Sequence, residues 1–121
     1  MIKRYVVPVT TNASGAATAY SPVLSGKIAT IRYVKGDFAN GVDFTITAEA
    51  TGETIWTEEN VNASKTVAPR QATHSTAGVA AVYAAAGEPV LDKIILAADR
   101  VQFVIANGGD TKSGAFHLVT E

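Results

Sequence analysis

The feature that most constrains this chain is a run of eight residues, 42–49, in which apolar and polar side chains alternate. The apolar positions are Val42, Phe44, Ile46 and Ala48, and the polar ones are Asp43, Thr45, Thr47 and Glu49. A period of two is typical of a strand with one buried face and one face in water. A tight turn at 51–53 follows, so we expect residues 54–58 to return as the second strand of a hairpin, with Ile55 and Trp56 as its large residues.

Further short β-type runs are distributed along the rest of the chain. They span residues 2–10, 17–24, 27–35, 90–96, 100–106 and 115–119, and turn residues separate them. Pro8 and Pro22 lack a backbone N–H, so they place the first two runs at sheet edges. The last two runs flank a Gly-rich segment and are predicted to form a second hairpin. In the third run, Ala29, Ile31 and Tyr33 are predicted to share one face, and Ile28, Thr30 and Arg32 the other.

The pattern as a whole predicts an all-β protein with one domain, 1–121. About seven or eight antiparallel strands at a spacing of about 8–12 residues are typical of a β-sandwich, here jelly-roll-like. Helical crossovers, which parallel strands require, are missing. An Ala-rich stretch at 79–86 is predicted as a helical turn or an irregular segment that ends at Gly87.

One long central loop is predicted over residues 60–77, where the periodicity disappears. It is basic at Lys65 and Arg70, and Pro69 is one of its apolar points. Loops longer than about 12–15 residues are usually functional or disordered. Extended segments of this kind commonly lie across neighbouring subunits, although a mobile surface loop explains the same composition equally well.

Composition excludes several classes of function. The chain has 10 Lys and Arg against 11 Asp and Glu, which argues against a nucleic-acid binder with its excess of basic residues. It has no Cys, which excludes disulfides, zinc ribbons and thiol nucleophiles. Only 17% of its residues are charged, against about 25% in soluble domains, which favours a surface that meets a partner. We expect no secretory signal and no membrane span.

No motif predicts catalysis, a cofactor or a metal. His74 and His117 are the two histidines, and neither has acidic or histidine neighbours at ligand spacing. His117 is expected to point away from Phe116 and Leu118, toward solvent or a partner. The carboxylates between Glu49 and Glu59 are interpreted as the soluble rims of a hairpin.

Basic and aromatic residues near the chain start suggest, weakly, a surface for single-stranded nucleic acid. Such a surface would need one sheet face to carry the residues Lys3, Arg4, Tyr5, Arg32, Tyr33 and Lys35. The acidic residues elsewhere dilute this positive charge. We therefore expect no nucleic-acid partner.

Several stretches resemble small virion structural proteins of tailed bacteriophages. They are 2–15 (IKRYVVPVTTNASG), 31–35 (IRYVK), 42–47 (VDFTIT) with Gly52 and Trp56, 69–74 (PRQATH), 98–101 (ADRV) and 113–117 (SGAFH). Several small β-sandwich or jelly-roll members of that group are cement or decoration proteins without enzymatic activity. The resemblance implies a protein made in the host cytoplasm that binds the major capsid protein at the capsid surface. A homo-oligomer, dimer or trimer, is also expected.

The predicted contacts with the partner lie in the N-terminal segment and in the central loop: Lys3, Arg4, Tyr5, Lys65, Pro69 and Arg70. One alternative keeps the protein in the virion but places it at the head–tail junction, the tail or a fibre base. A second alternative is a carbohydrate-binding β-sandwich, whose stacking platform would use Trp56, Tyr20, Tyr33 or Tyr83.

Overall fold

The computed structural model describes residues 1–121 and contains strands but no helix. The strands are β1 (Lys3–Thr10), β2 (Ala17–Tyr20), β3 (Leu24–Val34), β4 (Val42–Ala48), β5 (Thr54–Val61), β6 (Lys65–Val67), β7 (Arg70–Ala72), β8 (Leu91–Lys93), β9 (Ile95–Asp99), β10 (Val101–Ala106) and β11 (Ser113–Thr120). All pairings are antiparallel, so the predicted all-β, sandwich-like fold is confirmed. There are eleven strands rather than seven or eight, because β6, β7 and β8 are short strands of three residues each.

Two sheets form the sandwich. Sheet A has the order β1-β11-β3-β6, with β9 also paired to β3, and sheet B has the order β2-β10-β4-β5. β7 and β8 form a separate pair. One cluster of 21 buried hydrophobic residues lies between the sheets. Its centre is aromatic: the rings of Phe116 and Phe44 meet edge to face at 5.3 Å, and the Phe103 ring lies 4.7 Å from Phe116.

The hairpin predicted from the alternating run is confirmed as β4 and β5, with Ile46 opposite Trp56 and Thr45 opposite Thr57. The edge positions predicted from proline are also correct, because β1 ends sheet A and β2 ends sheet B. Pro8 therefore sits where its missing N–H interrupts no ladder in the middle of a sheet.

The second predicted hairpin is wrong. β10 pairs with β2 and β4 in sheet B, whereas β11 pairs with β1 and β3 in sheet A. The Gly-rich link between them crosses from one sheet to the other and is fixed by Thr11, whose hydroxyl donates to the Gly109 carbonyl at 2.7 Å. Each strand has a buried apolar face, and placing them in opposite sheets lets the two faces pack on each other.

The predicted faces of β3 are correct at its carboxyl end and wrong at Ile28, which is buried together with Ile31. The cause is a β-bulge: Val119 of β11 pairs with Thr30, but Thr120 pairs with Ile28, so Ala29 is an extra residue. A bulge reverses the alternation beyond it. Two apolar residues three positions apart can therefore share one face.

The predicted central loop is partly wrong. Residues 60–77 include the end of β5, all of β6 and all of β7. Residues 79–86 are irregular and contain no helix, with isolated bridges at Ala80 and Val82. No helix in the structure is long and apolar enough to cross a membrane.

Candidate partner-binding surfaces

Two short strands, β6 and β9, lie one after the other along the same edge of β3. The other edge of β3 is occupied by β11 and, beyond it, by Glu121, which exchanges backbone hydrogen bonds of 2.9 Å with Lys27. β9 must therefore use the edge on which β6 also pairs. Both strands run antiparallel to β3.

The register shows that these two strands are halves of one strand with a segment inserted between them. Ile31 and Lys27 are four residues apart on β3, whereas their partners Val67 and Ile95 are 28 residues apart in the chain. The excess of 24 residues equals the length of the segment 70–93. We call this segment the arm. It leaves sheet A beside the bulge of β3.

The arm is held together by backbone hydrogen bonds of its own. Its stem is the β7–β8 pair, in which Gln71 lies opposite Asp92. Above the stem three chain segments meet in a cyclic set of hydrogen bonds. The Thr73 N–H donates to the Val90 carbonyl at 2.9 Å, the Val90 N–H to the Ala81 carbonyl at 3.0 Å, and the Ala81 N–H to the Thr73 carbonyl at 2.8 Å. Two short turns then extend outward from this junction.

None of the residues in the arm is buried, although many are apolar. The side chains of Val79, Val82, Tyr83 and Leu91 are 64%, 44%, 79% and 53% exposed. The charges of the arm are few and balanced: Arg70 and Lys93 against Glu88 and Asp92. Apolar side chains concentrated on an exposed element are a mark of an interaction surface.

The base of the arm is fixed to the sandwich at two points. Arg70 Nη1 donates to the carbonyl oxygen of Ala29, the bulged residue of β3, at 3.1 Å. On the other side of the stem, Lys93 forms an ion pair with Glu121. Arg70, predicted to contact a partner, thus holds the arm in place. Pro69 is buried, and its contact with a partner stays a prediction.

Lys65, another predicted contact, joins the two sheets at their open edge. Its ammonium group lies 2.8 Å and 3.1 Å from the two carboxylate oxygens of Glu58 on β5. The Trp56 indole donates to the same carboxylate at 3.2 Å. The hydrogen bond from Lys65 is the main cause that lowers the pKa of Glu58, with a smaller contribution from Trp56. In the free chain, Lys65 is thus engaged within the fold.

The N-terminal residues predicted to contact a partner divide into two groups. Lys3 and Arg4 are exposed, whereas Tyr5 is half-buried and packs against the core. Arg4 Nη1 lies 3.3 Å from Nδ1 of His117 on β11. His117 points away from the buried Phe116 and Leu118, as predicted from the alternation.

Of the aromatic residues that the stacking alternatives need, Tyr83 in the arm is exposed, but the others are buried or covered. Tyr33 is fully buried and Trp56 is 8% exposed, with its ring against Phe44. The guanidinium of Arg100 covers the Tyr20 ring at 4.1 Å. The predicted carbohydrate platform is therefore wrong for Trp56 and Tyr33. The predicted nucleic-acid surface placed Tyr33 and Arg32 on the same sheet face. This is wrong, because Tyr33 points inward and Arg32 points outward.

The structure contains no pocket and no group of three or more side chains that could hold a metal ion. The feature that sequence reasoning missed is the arm as a unit, although the apolar residues 79–83 between turn-forming stretches were its visible sign. The chain matches no protein-family model, no curated protein and no solved structure.

Proposed function

We propose that this protein is a non-enzymatic structural protein of a tailed-phage virion that cements the capsid. It binds the outer surface of the lattice formed by the major capsid protein. The observation that carries the proposal is the arm, which exposes apolar side chains and is inserted into a strand that is otherwise continuous in register. Because the arm contributes no buried residue to the core, its apolar surface is explained by a partner rather than by folding.

The anchoring of the arm suits a cementing role. Arg70 and Lys93 tie its stem to β3 and to the end of β11, so a force on the arm is passed to the sandwich. A ligand that binds the assembled lattice but not its separated subunits stabilises the lattice by mass action. Such selectivity results if the arm binds one capsid subunit and the sandwich binds the neighbouring capsid subunit. The two binding sites are then next to each other only in the assembled shell.

The test is co-sedimentation of the purified protein with assembled shells from which decorating proteins have been removed. We expect saturable binding of many copies over the shell and a higher melting temperature of the decorated shell. Deletion of the arm, with Pro69 joined directly to Ile94, should abolish binding while leaving the sandwich folded. The matched control is Thr45→Ser on the outer face of sheet B, which should bind as the native protein does.

Two results would overturn this proposal. One is the absence of binding by the intact protein, checked with shells that bind another decorating protein. The other is electron microscopy that shows the protein at one vertex or on the tail, which would support the head–tail or tail alternative.

A further inference from the structure

The charged side chains on the strands of the sandwich are largely separated between its two sheets, and the exception is the buried Asp99 of β9 in sheet A. The strands β1, β3, β6 and β11 carry five basic residues and no carboxylate: Lys3, Arg4, Lys27, Arg32 and Lys65. The strands of sheet B carry three carboxylates and no basic residue: Asp43, Glu58 and Glu59. The net charge of −1 conceals this arrangement.

Part of this positive charge lies on the outer face of sheet A. Val6, His117, Arg32 and Thr66 form one row across four strands, because each is directly opposite the next in the register. Arg32 Nη1 donates to the Thr66 hydroxyl at 2.9 Å, which orients the guanidinium along the sheet. Arg4 lies beside the row and contacts His117. We call Arg4, Val6, Arg32 and His117 the basic face.

The charged groups of the basic face are hydrogen-bond donors that have no carboxylate partner on β1, β3 or β11. A guanidinium can only donate, so its contact with His117 is a hydrogen bond in the tautomer whose Nδ1 accepts and whose Nε2 carries the hydrogen. The two guanidinium groups and the imidazole N–H thus belong to three adjacent strands. No carboxylate on these strands competes for them.

The surroundings of these donors are apolar. Val6 is exposed, and Pro8, Val34, Ala115 and Val119 occupy the other outward positions near it. Protein interfaces are enriched in arginine and apolar side chains and depleted of carboxylates, and the basic face has this composition. A surface for single-stranded nucleic acid would also need exposed aromatic rings, but Tyr5 and Tyr33 belong to the inward set.

We propose that the basic face is a docking surface for an acidic protein surface, which offers carboxylates to Arg32 and Arg4. The planar guanidinium binds a carboxylate through two parallel hydrogen bonds, and the apolar rim excludes water from that contact. That this acidic surface belongs to the capsid lattice rests on the proposed function. The basic face itself does not rest on it.

The experiment measures binding of Arg32→Glu to shells and to immobilised poly-L-glutamate at several salt concentrations. The matched control is Lys112→Glu, which makes the same change in net charge on an exposed turn between the sheets. We expect Arg32→Glu to weaken both interactions at least tenfold, as is usual when a charge pair inside an interface is broken. The Arg32→Lys variant should bind with intermediate strength, since lysine keeps the positive charge but cannot form two parallel hydrogen bonds to one carboxylate.

The outcomes separate the two proposals. Retention of native shell binding by Arg32→Glu, or equal weakening by Lys112→Glu, overturns the basic face. Tighter retention on double-stranded DNA than on poly-L-glutamate overturns it in favour of a nucleic-acid surface. If the native protein ignores shells but binds poly-L-glutamate through Arg32, the capsid function falls and the basic face stands.

Discussion

The sandwich and the arm are made of similar residues and both are held by β-type hydrogen bonds, yet they differ in burial. The sandwich encloses 21 buried hydrophobic residues, whereas the arm has no buried residue. In the sandwich each sheet supplies the second layer that covers the other. The arm has one layer, so its apolar side chains stay in water. Hydrogen bonds are thus enough to shape the arm, but burial of apolar surface is what gives the sandwich its stability.

The largest expected effect is loss of an aromatic ring from the core. Phe116→Ala removes a fully buried ring that contacts Phe44 and Phe103, so it should lower the free energy of unfolding by about 3–5 kcal/mol. Tyr83→Ala in the arm is the matched control and should change it by less than about 0.5 kcal/mol. Urea unfolding of both variants measures the difference. Similar losses in the two would refute the contrast between core and arm.

A smaller effect, of opposite sign, is expected at Tyr33. Its hydroxyl is buried and has no hydrogen-bond partner, so Tyr33→Phe should stabilise the protein by about 1 kcal/mol. Burial raises the pKa of Tyr33 to about 12, above its value of 10.0 outside the fold. The native protein should therefore lose stability as the pH rises from about 10 toward 12, because the unfolded chain ionises first.

The alkaline behaviour of Tyr33→Phe sharpens this prediction. The contribution of Tyr33 to the loss above pH 10 should be missing from the variant, as shown by unfolding curves at pH 8 to 11. An equal alkaline loss in both proteins would show that other groups cause it. Lower stability of the variant at neutral pH would show that the hydroxyl is satisfied by water.

The pair between Glu58 and Lys65 should contribute less, because it is partly exposed to solvent. Glu58→Gln is expected to lower the free energy of unfolding by about 0.5–1 kcal/mol at neutral pH. The pKa of Glu58 is lowered in the fold, so this stabilisation is present above about pH 4.5 and disappears as the pH falls through the folded value. Glu59→Gln on the same strand is the control, with no expected change.

The smallest effect on stability is expected from deletion of the arm. Removal of residues 70–93 restores a continuous strand along β3 and shortens a connection, and it removes no buried side chain. The free energy of unfolding should change by about 0.5 kcal/mol or less, measured by the same urea titration. A variant that fails to fold would show that the arm is part of the core, which would break the comparison.

The sequence predicts those parts of the fold that depend on neighbouring residues. The β4–β5 hairpin is local, and its alternation with a short turn is sufficient to identify it. The partner of β10 is not local: a Gly-rich link is compatible with a hairpin or with a crossing between sheets, and burial against Phe44 and Phe116 decides the outcome. The bulge at Ala29 is set by the register with β11, which no pattern within β3 reveals.

The same reason explains which contact residues could be predicted. Lys65 and Arg70 look free in the sequence because their partners, Glu58 and the Ala29 carbonyl, are brought to them by the fold. Arg32 and His117 lie 85 residues apart and become neighbours only through the β3–β11 pairing. The positive character of the N-terminal strand was visible in Lys3 and Arg4. The extension of this positive character across sheet A is not visible in the sequence, because it depends on how the strands pair.

The separation of charge between the two sheets has a consequence for encounter with a partner. A protein of net charge −1 feels little overall attraction to any surface. The exposed basic residues Arg4, Lys27 and Arg32 on sheet A and the carboxylates Asp43 and Glu59 on sheet B nevertheless give the strands a charge polarity across the sandwich. In the field of a charged surface the molecule turns before it touches, so most collisions present the same sheet. At 0.1 M salt the electrostatic interaction is largely screened beyond about 10 Å, so orientation at a distance weakens and association should slow at higher ionic strength.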